Sequence, residues 1–169
     1  MRGAGQLPVL RPGAVPAHKG CGTGKKGRRM GVDKTKIAEQ FIKAIPHSEA
    51  LGMTVTRIEE GFATIEMPYD DRFVGDPKTG VIHGGAVSAL MDTCCGAAAL
   101  SHPANGGSTA TIDLRIDYMR PATPGQRIRA EAECFHVTRT VAFVRARAMD
   151  DDADRPVATA TGTFTTGKT

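Results

Sequence analysis

At 169 residues, with 40% apolar and 24% charged residues, the chain has the length and make-up of one globular domain with its own core. The net charge of +4 does not describe that domain. Arg2, Arg11, Lys19, Lys25, Lys26, Arg28 and Arg29 all precede the first acidic residue, and without those seven, 15 basic residues face 18 acidic ones. A basic surface for nucleic acid is therefore unsupported, and no apolar run is long and uncharged enough to span a membrane.

Residues 1–29 hold seven Gly, three Pro, seven basic residues and no acid, so they are expected to form a disordered basic leader. Leu7-Pro8-Val9-Leu10 is too short for a secretory signal, and the leader lacks the serines of a transit peptide. Met30 is thus a candidate start, with residues 30–169 as the folded domain. Asp33 can cap a helix whose apolar residues Ile37, Ala38, Phe41, Ile42 and Ile45 recur at helical spacing, Val32 and Ile37 forming its staple and Pro46 marking its end. Residues 52–58 and 61–68 read as a hairpin around Glu59-Glu60-Gly61, and 69–80 as a loop.

Val81-Ile82-His83-Gly84-Gly85 then leads into the small, apolar run Ala86 to Leu100, interrupted by one charge, Asp92. A helix apolar on nearly all sides is a buried one, and a carboxylate there is costly unless partnered, opened to a cleft or used. Helical spacing puts Asp92 on a face with Gly85, Ser88, Cys95 and Gly96, and turns Val87, Leu90, Met91, Cys94 and Ala98 towards a sheet.

Ala110, Ile112, Leu114, Ile116 and Tyr118 alternate with polar residues, predicting a strand with one dry face. Ile128, Ala130, Ala132 and Cys134 repeat the pattern after a Pro121–Gly125 turn. Strands at 141–149 and 157–165 follow, separated by an acidic turn at 150–156. Arg145 and Arg147 alternate on one face and suit cross-strand charge pairs. Short hairpins among the last four strands predict a largely antiparallel α+β sheet covering the central helix. Cys21, Cys94, Cys95 and Cys134 show no disulfide or metal-ligand spacing and are read as reduced thiols in the cytoplasm.

His83-Gly84-Gly85, Asp92 nine residues after the histidine, and the downstream Ile112 to Pro121 segment ending Tyr118-Met119-Arg120-Pro121 resemble the hotdog-fold acyl-CoA thioesterases, in particular the PaaI-like phenylacetate-pathway type with its mammalian thioesterase superfamily member 2 relatives. The resemblance covers roughly residues 45–166. It implies a hotdog fold, a six-stranded antiparallel sheet wrapped around one long buried helix. It also implies acyl-CoA as substrate, no metal and no organic cofactor, and a homodimer or dimer of dimers.

By the same resemblance Gly84 supplies the principal N–H to the thioester carbonyl, with Gly85 beside it. Asp92 of the facing subunit attacks or activates water. His83 fixes the turn by hydrogen bonding, and Thr111 stands where relatives hold the attacking water. Strand parity turns Thr111 away from the helix unless a bulge or a partner's site intervenes. Where relatives commonly place an asparagine before the histidine this chain has Pro77, with Asp76 as the substitute. Arg120, Arg139 and Thr140 match positions used for coenzyme A phosphates.

The residues agree with the chemistry. A helix N-terminus offers unpaired N–H groups to an oxygen gaining charge, and two glycines let a bulky thioester approach. Seven residues from Gly85 to Asp92 span about 10 Å, too far for one helix to serve one carbonyl from both ends. The alternative is a domain that binds or senses acyl-CoA without turnover; a hotdog dehydratase lacks a second acid–base motif here.

Overall fold

The computed structural model describes residues 44–167. The leader and all but the last residues of the helix expected after Asp33 lie outside the described residues. Pro46, expected as the end of a helix, opens one: α1 is Pro46–Ala50, with proline in its first turn, where a missing N–H costs nothing. The strands are β1 (Thr54–Glu59), β2 (Phe62–Met67), β3 (Val74–Asp76), β4 (Val81–Ile82), β5 (Thr111–Tyr118), β6 (Ile128–Val137), β7 (Val141–Met149) and β8 (Ala158–Thr165). The central helix, α2, runs Gly84–Ser101. The loop at 69–80 holds a 3-10 turn (Asp71–Phe73), and β3 within it pairs with β4 in a two-stranded ribbon.

Six strands form one antiparallel sheet in the order β1-β2-β6-β7-β8-β5, the α+β arrangement expected. Its inner face presents Ala63, Ile65, Met67, Ile128, Ala130, Ala132, Val144, Ala148, Ala160 and Phe164, all buried. The alanines bring strand backbone close to α2, and Cys94 Sγ lies 3.4 Å from the carbonyls of both Ala63 and Ala130. Val87, Leu90, Met91, Cys94 and Ala98 are buried as the helical spacing required. Cys95, expected on the Asp92 face, is buried too, which narrows the open face to Ser88, Ala89, Asp92, Thr93 and Gly96. On the outer face Arg145 and Arg147 pair across the strands with Glu133 and Glu131 at 2.8 and 2.9 Å.

Two expectations for β5 are corrected. It makes no hairpin with β6 but pairs with β8 at the sheet edge. The link after Tyr118 is too long for a tight hairpin and is stitched across the sheet end: Met119 and Arg120 donate N–H bonds to Val157 O, and Thr123 N–H reaches Asp150 at the end of β7. Nor is the alternating face of β5 dry, since Ile112 is 55% and Tyr118 50% exposed. An edge strand has a neighbour on one side only, and a bulge between Thr111 and Asp113 breaks the alternation.

That bulge also decides where Thr111 points. Thr111 lies opposite Phe164, which faces the core, and Leu114 lies opposite Gly162, so Ile112 is the extra residue pushed outward. A Cβ on Gly162 would sit 2.5 Å from Asp113 O and 2.8 Å from the Leu114 side chain; only glycine admits the bulge undistorted. Among the described residues, no helix is long and apolar enough to cross a membrane.

Candidate active site

The α2 N-terminus is set by the β3–β4 ribbon and by His83. His83 N–H donates to Phe73 O at 2.8 Å, and Gly75 lies so close behind that a Cβ there would be 2.8 Å from His83 Cα. As N-cap, His83 turns its imidazole back so that Nδ1 accepts the Gly85 N–H at 2.9 Å. A Cβ on Gly85 would be 2.8 Å from that nitrogen, so the cap itself requires the glycine. Ala86 N–H bonds to His83 O. Gly84 N–H has no acceptor among the described residues. Gly84 is thus the free donor of the turn, and Gly85, expected to stand beside it, already spends its N–H on His83.

About 12 Å further along the helix, at 1.5 Å per residue, the Asp92 carboxylate emerges on the open face. Its Oδ1 accepts a 2.7 Å hydrogen bond from Thr111 Oγ1. Oδ2 has no hydrogen-bond partner among the described residues. Ser88, a turn away, bonds elsewhere and does not satisfy the charge. The two halves open onto different clefts. One, of about 570 Å³, holds Asp92 and Thr111 between Ile45, Ala89, Gly96, Leu100 and Phe164. The His83–Gly85 turn borders a second, of about 390 Å³, with Phe73, Val74 and Ala86, while Gly84 lines a third, of about 340 Å³, with Val81, Val87 and Tyr118. His47 and Ala89 border the first two. Burial, and behind it the Asp92 charge, pushes the Cys95 thiol up to about 12, so no thiolate nucleophile is available beside Asp92.

Comparison with known proteins decides the family. The sequence pattern of the Thioesterase superfamily matches residues 79–157, which span the α2 N-terminus, Asp92 and Thr111. A solved structure from Pseudomonas aeruginosa is similar at 39% identity and a TM-score of 0.70, over 79% of this chain and 98% of that one. The chain belongs to the thioesterase superfamily. Its likeness includes the phenylacetic acid degradation protein PaaI of Thermus thermophilus, solved as a mutant, at 29% identity and TM-score 0.64 over 72% of this chain and 99% of that one. The medium/long-chain acyl-CoA thioesterase YigI of Escherichia coli K12 is 27% identical over 144 residues, 78% of this chain and 92% of that protein. This is a PaaI-like hotdog thioesterase, and its reaction is thioester hydrolysis.

For a thioesterase, the remaining sequence-predicted residues divide sharply. Asp76 closes its own turn: its carboxylate accepts from Lys78 N–H and Thr79 Oγ1, and its carbonyl from Thr79 and Gly80 N–H. It does not replace the missing asparagine within this chain. Arg120 is also withdrawn from substrate, because all five of its N–H donors are taken, by Asp150 at 2.6 and 2.7 Å, by Arg155 O twice and by Pro121 O. Arg139 keeps its guanidinium without a hydrogen-bond or ion-pair partner among the described residues. It and Thr140 form the exposed β6–β7 turn, whose carbonyls bond Thr166, next to the strand end that leads by Thr165 to Ala110 at the Asp92 cleft.

Sequence reasoning missed three features of this thioesterase. Asp150 reads in the sequence as one acid of an acidic turn, and its place at the end of an apolar strand is the signal for a buried anchor. Gly162, a lone glycine inside a strand, is the signal for the bulge that delivers Thr111. Tyr118 enters the sequence reading as an apolar strand residue and as part of the Tyr-Met-Arg-Pro strand end, with no role of its own, yet its hydroxyl lies on α2: it donates to Gly84 O at 2.5 Å and shares a 2.7 Å hydrogen bond with Ser88 Oγ.

Proposed function

We propose that this thioesterase hydrolyses acyl-CoA to a free acid and coenzyme A, at sites shared between the α2 helices of two facing subunits. The observation that carries the reading is the pair of incomplete halves on one helix: a free Gly84 N–H at its start, and about 12 Å away a carboxylate with one oxygen uncommitted. Two antiparallel copies of α2 bring each half to the complement it lacks. The open edge of β5, where Ile112 is 55% exposed and Met119 just after the strand 62%, is consistent with a second copy covering this side.

The thioester carbonyl accepts Gly84 N–H, at the positive end of the helix dipole, where negative charge developing on that oxygen is stabilised. Asp92 of the facing subunit then adds to the carbonyl carbon directly, giving an anhydride that water opens, or it takes a proton from the water that adds. In both routes the oxyanion collapses back to a carbonyl as the C–S bond breaks and the coenzyme A thiolate leaves. The Thr111 hydroxyl holds the carboxylate in a fixed rotamer and leaves Oδ2 for the reaction. The acyl group occupies the cleft of Ile45, Ala89, Gly96, Leu100 and Phe164, and Arg139 with Thr140 meets the coenzyme A phosphates. The free, buried Cys94, Cys95 and Cys134 suit a reducing cytoplasm.

Release of free thiol from a panel of acyl-CoAs tests the reading. Wild type turns over at least one acyl-CoA, and Asp92→Ala loses at least about tenfold in rate, roughly 1.4 kcal/mol of transition-state stabilisation. Equal rates in the two proteins remove the mechanism; absence of turnover on every thioester favours the binding domain instead.

A further inference from the structure

The free donor of this site sits in the most pliable dipeptide a chain can offer, Gly84-Gly85. Stabilising a developing oxyanion requires a donor already fixed in place, because reorienting it during the reaction would cost what the contact gains. Something must remove the freedom the glycines bring. The peptide unit joining the two glycines is held at both of its polar ends. Its N–H, from Gly85, points at His83 Nδ1, and its C=O, from Gly84, accepts the Tyr118 hydroxyl. A phenol has one proton. With that proton on Gly84 O, the 2.7 Å contact to Ser88 is a hydrogen bond from the serine hydroxyl to the phenol oxygen. The ring lies against the same glycine, 3.2 Å from where a Cβ would stand.

β5 therefore reaches α2 at two places, and both matter to the proposed chemistry. Thr111 at one end orients the Asp92 carboxylate, and Tyr118 at the other holds the peptide behind the Gly84 donor. Tyr118 is half exposed, so its hydroxyl had water available and is held at Gly84 and Ser88 by geometry, not by burial.

We infer that Tyr118 is a positioning residue of the thioesterase site: through its hydrogen bond to Gly84 O, supported by Ser88, it fixes the glycine turn whose N–H receives the thioester oxygen. This rests on the reading of Gly84 and Asp92 given above. The residue acts on the oxyanion and not on substrate affinity, so it bears on kcat.

The test compares wild type, Tyr118→Phe, Ser88→Ala and Asp92→Ala in acyl-CoA hydrolysis, with the Gly85 amide exchange rate followed by NMR in the substrate-free protein. Tyr118→Phe is expected to lower kcat about five- to tenfold with KM unchanged, the effect of one lost hydrogen bond. Ser88→Ala lowers kcat less, since the bond to Gly84 O survives. The Gly85 amide exchanges faster in Tyr118→Phe, a readout independent of turnover. Unchanged kcat, or a raised KM with kcat held, overturns the inference, as does unchanged Gly85 exchange. If Asp92→Ala has meanwhile lost its activity, the reading of the site stands without Tyr118. If Asp92→Ala retains full activity, the reading itself falls, and the exchange rate alone then decides whether the tyrosine holds the turn.

Discussion

Asp150 and Asp92 both stand among apolar residues, one at the end of β7 and the other within α2, yet their surroundings differ at every point. Asp150 is wholly buried and accepts five hydrogen bonds: two from Arg120, two from Thr123 and one from Asp152 N–H. The Arg120 guanidinium, ahead of the backbone and Thr123 donors, holds its carboxyl well below the usual range. Asp92 accepts one, from Thr111, and opens onto a cleft. A carboxylate whose lone pairs are all engaged is a structural joint, here tying the end of β5 to the β7–β8 turn. One left with an uncommitted oxygen beside a cavity is available for chemistry.

Substitution sharpens that contrast. Asp150→Ala leaves the partly buried Arg120 guanidinium without its ion-pair partner and is expected to cost about 3 kcal/mol, the low end for a broken buried pair, read from the urea midpoint. Asp92→Ala, in a solvated cleft, stays within about 0.5 kcal/mol of wild type by the same measurement. Equal losses would erase the distinction between the two acids. Acid acts on the same joint. Because the folded carboxyl of Asp150 is depressed, its contribution is present above the unfolded value near pH 4 and is lost as pH falls below it. The wild-type midpoint should therefore drop below about pH 4, and Asp150→Asn should show a flatter profile over that window.

Smaller effects belong to the cleft. Gly162→Ala sets a Cβ 2.5 Å from Asp113 O, so the β5 bulge must shift. The expected cost is about 1–3 kcal/mol of stability together with lower activity, because Thr111 moves with the bulge. Thr111→Val removes one hydrogen bond from Asp92 and should lower kcat about fivefold with little change in melting temperature, while Thr111→Ser keeps most of the rate.

Most of the architecture is legible in the sequence because it rests on periodicity. The alternations of β2, β7 and β8 and the small-residue run of α2 place these elements within a residue or two of where they lie, and β6 runs three residues past the Cys134 at which its pattern ends. Local pattern says nothing about which strands become neighbours. It suggests a hairpin of β5 with β6, whereas Met119 and Arg120, bonded to Val157 O, and Thr123, bonded to Asp150, carry the chain across the sheet end instead. In the site, His83, Gly84 and Asp92 stand out through their spacing. The contact between Thr111 and Asp92 depends on a one-residue bulge, and the occupation of Arg120 on a partner 30 residues away, neither of which a motif encodes.

The central claim is that Gly84 and Asp92 serve one thioester from different subunits. Gly84→Pro removes the N–H at a helix position where proline is favoured, after a residue, His83, whose ψ of 133° suits it. Asp92→Asn removes the carboxylate. Each variant alone should be nearly inactive in acyl-CoA hydrolysis. Unfolding and refolding the two together in equal amounts gives mixed dimers with one intact site each, and the account predicts recovery to about a quarter of wild-type activity. A mixture no more active than its two parents, with mixed dimers shown to be present, would contradict it.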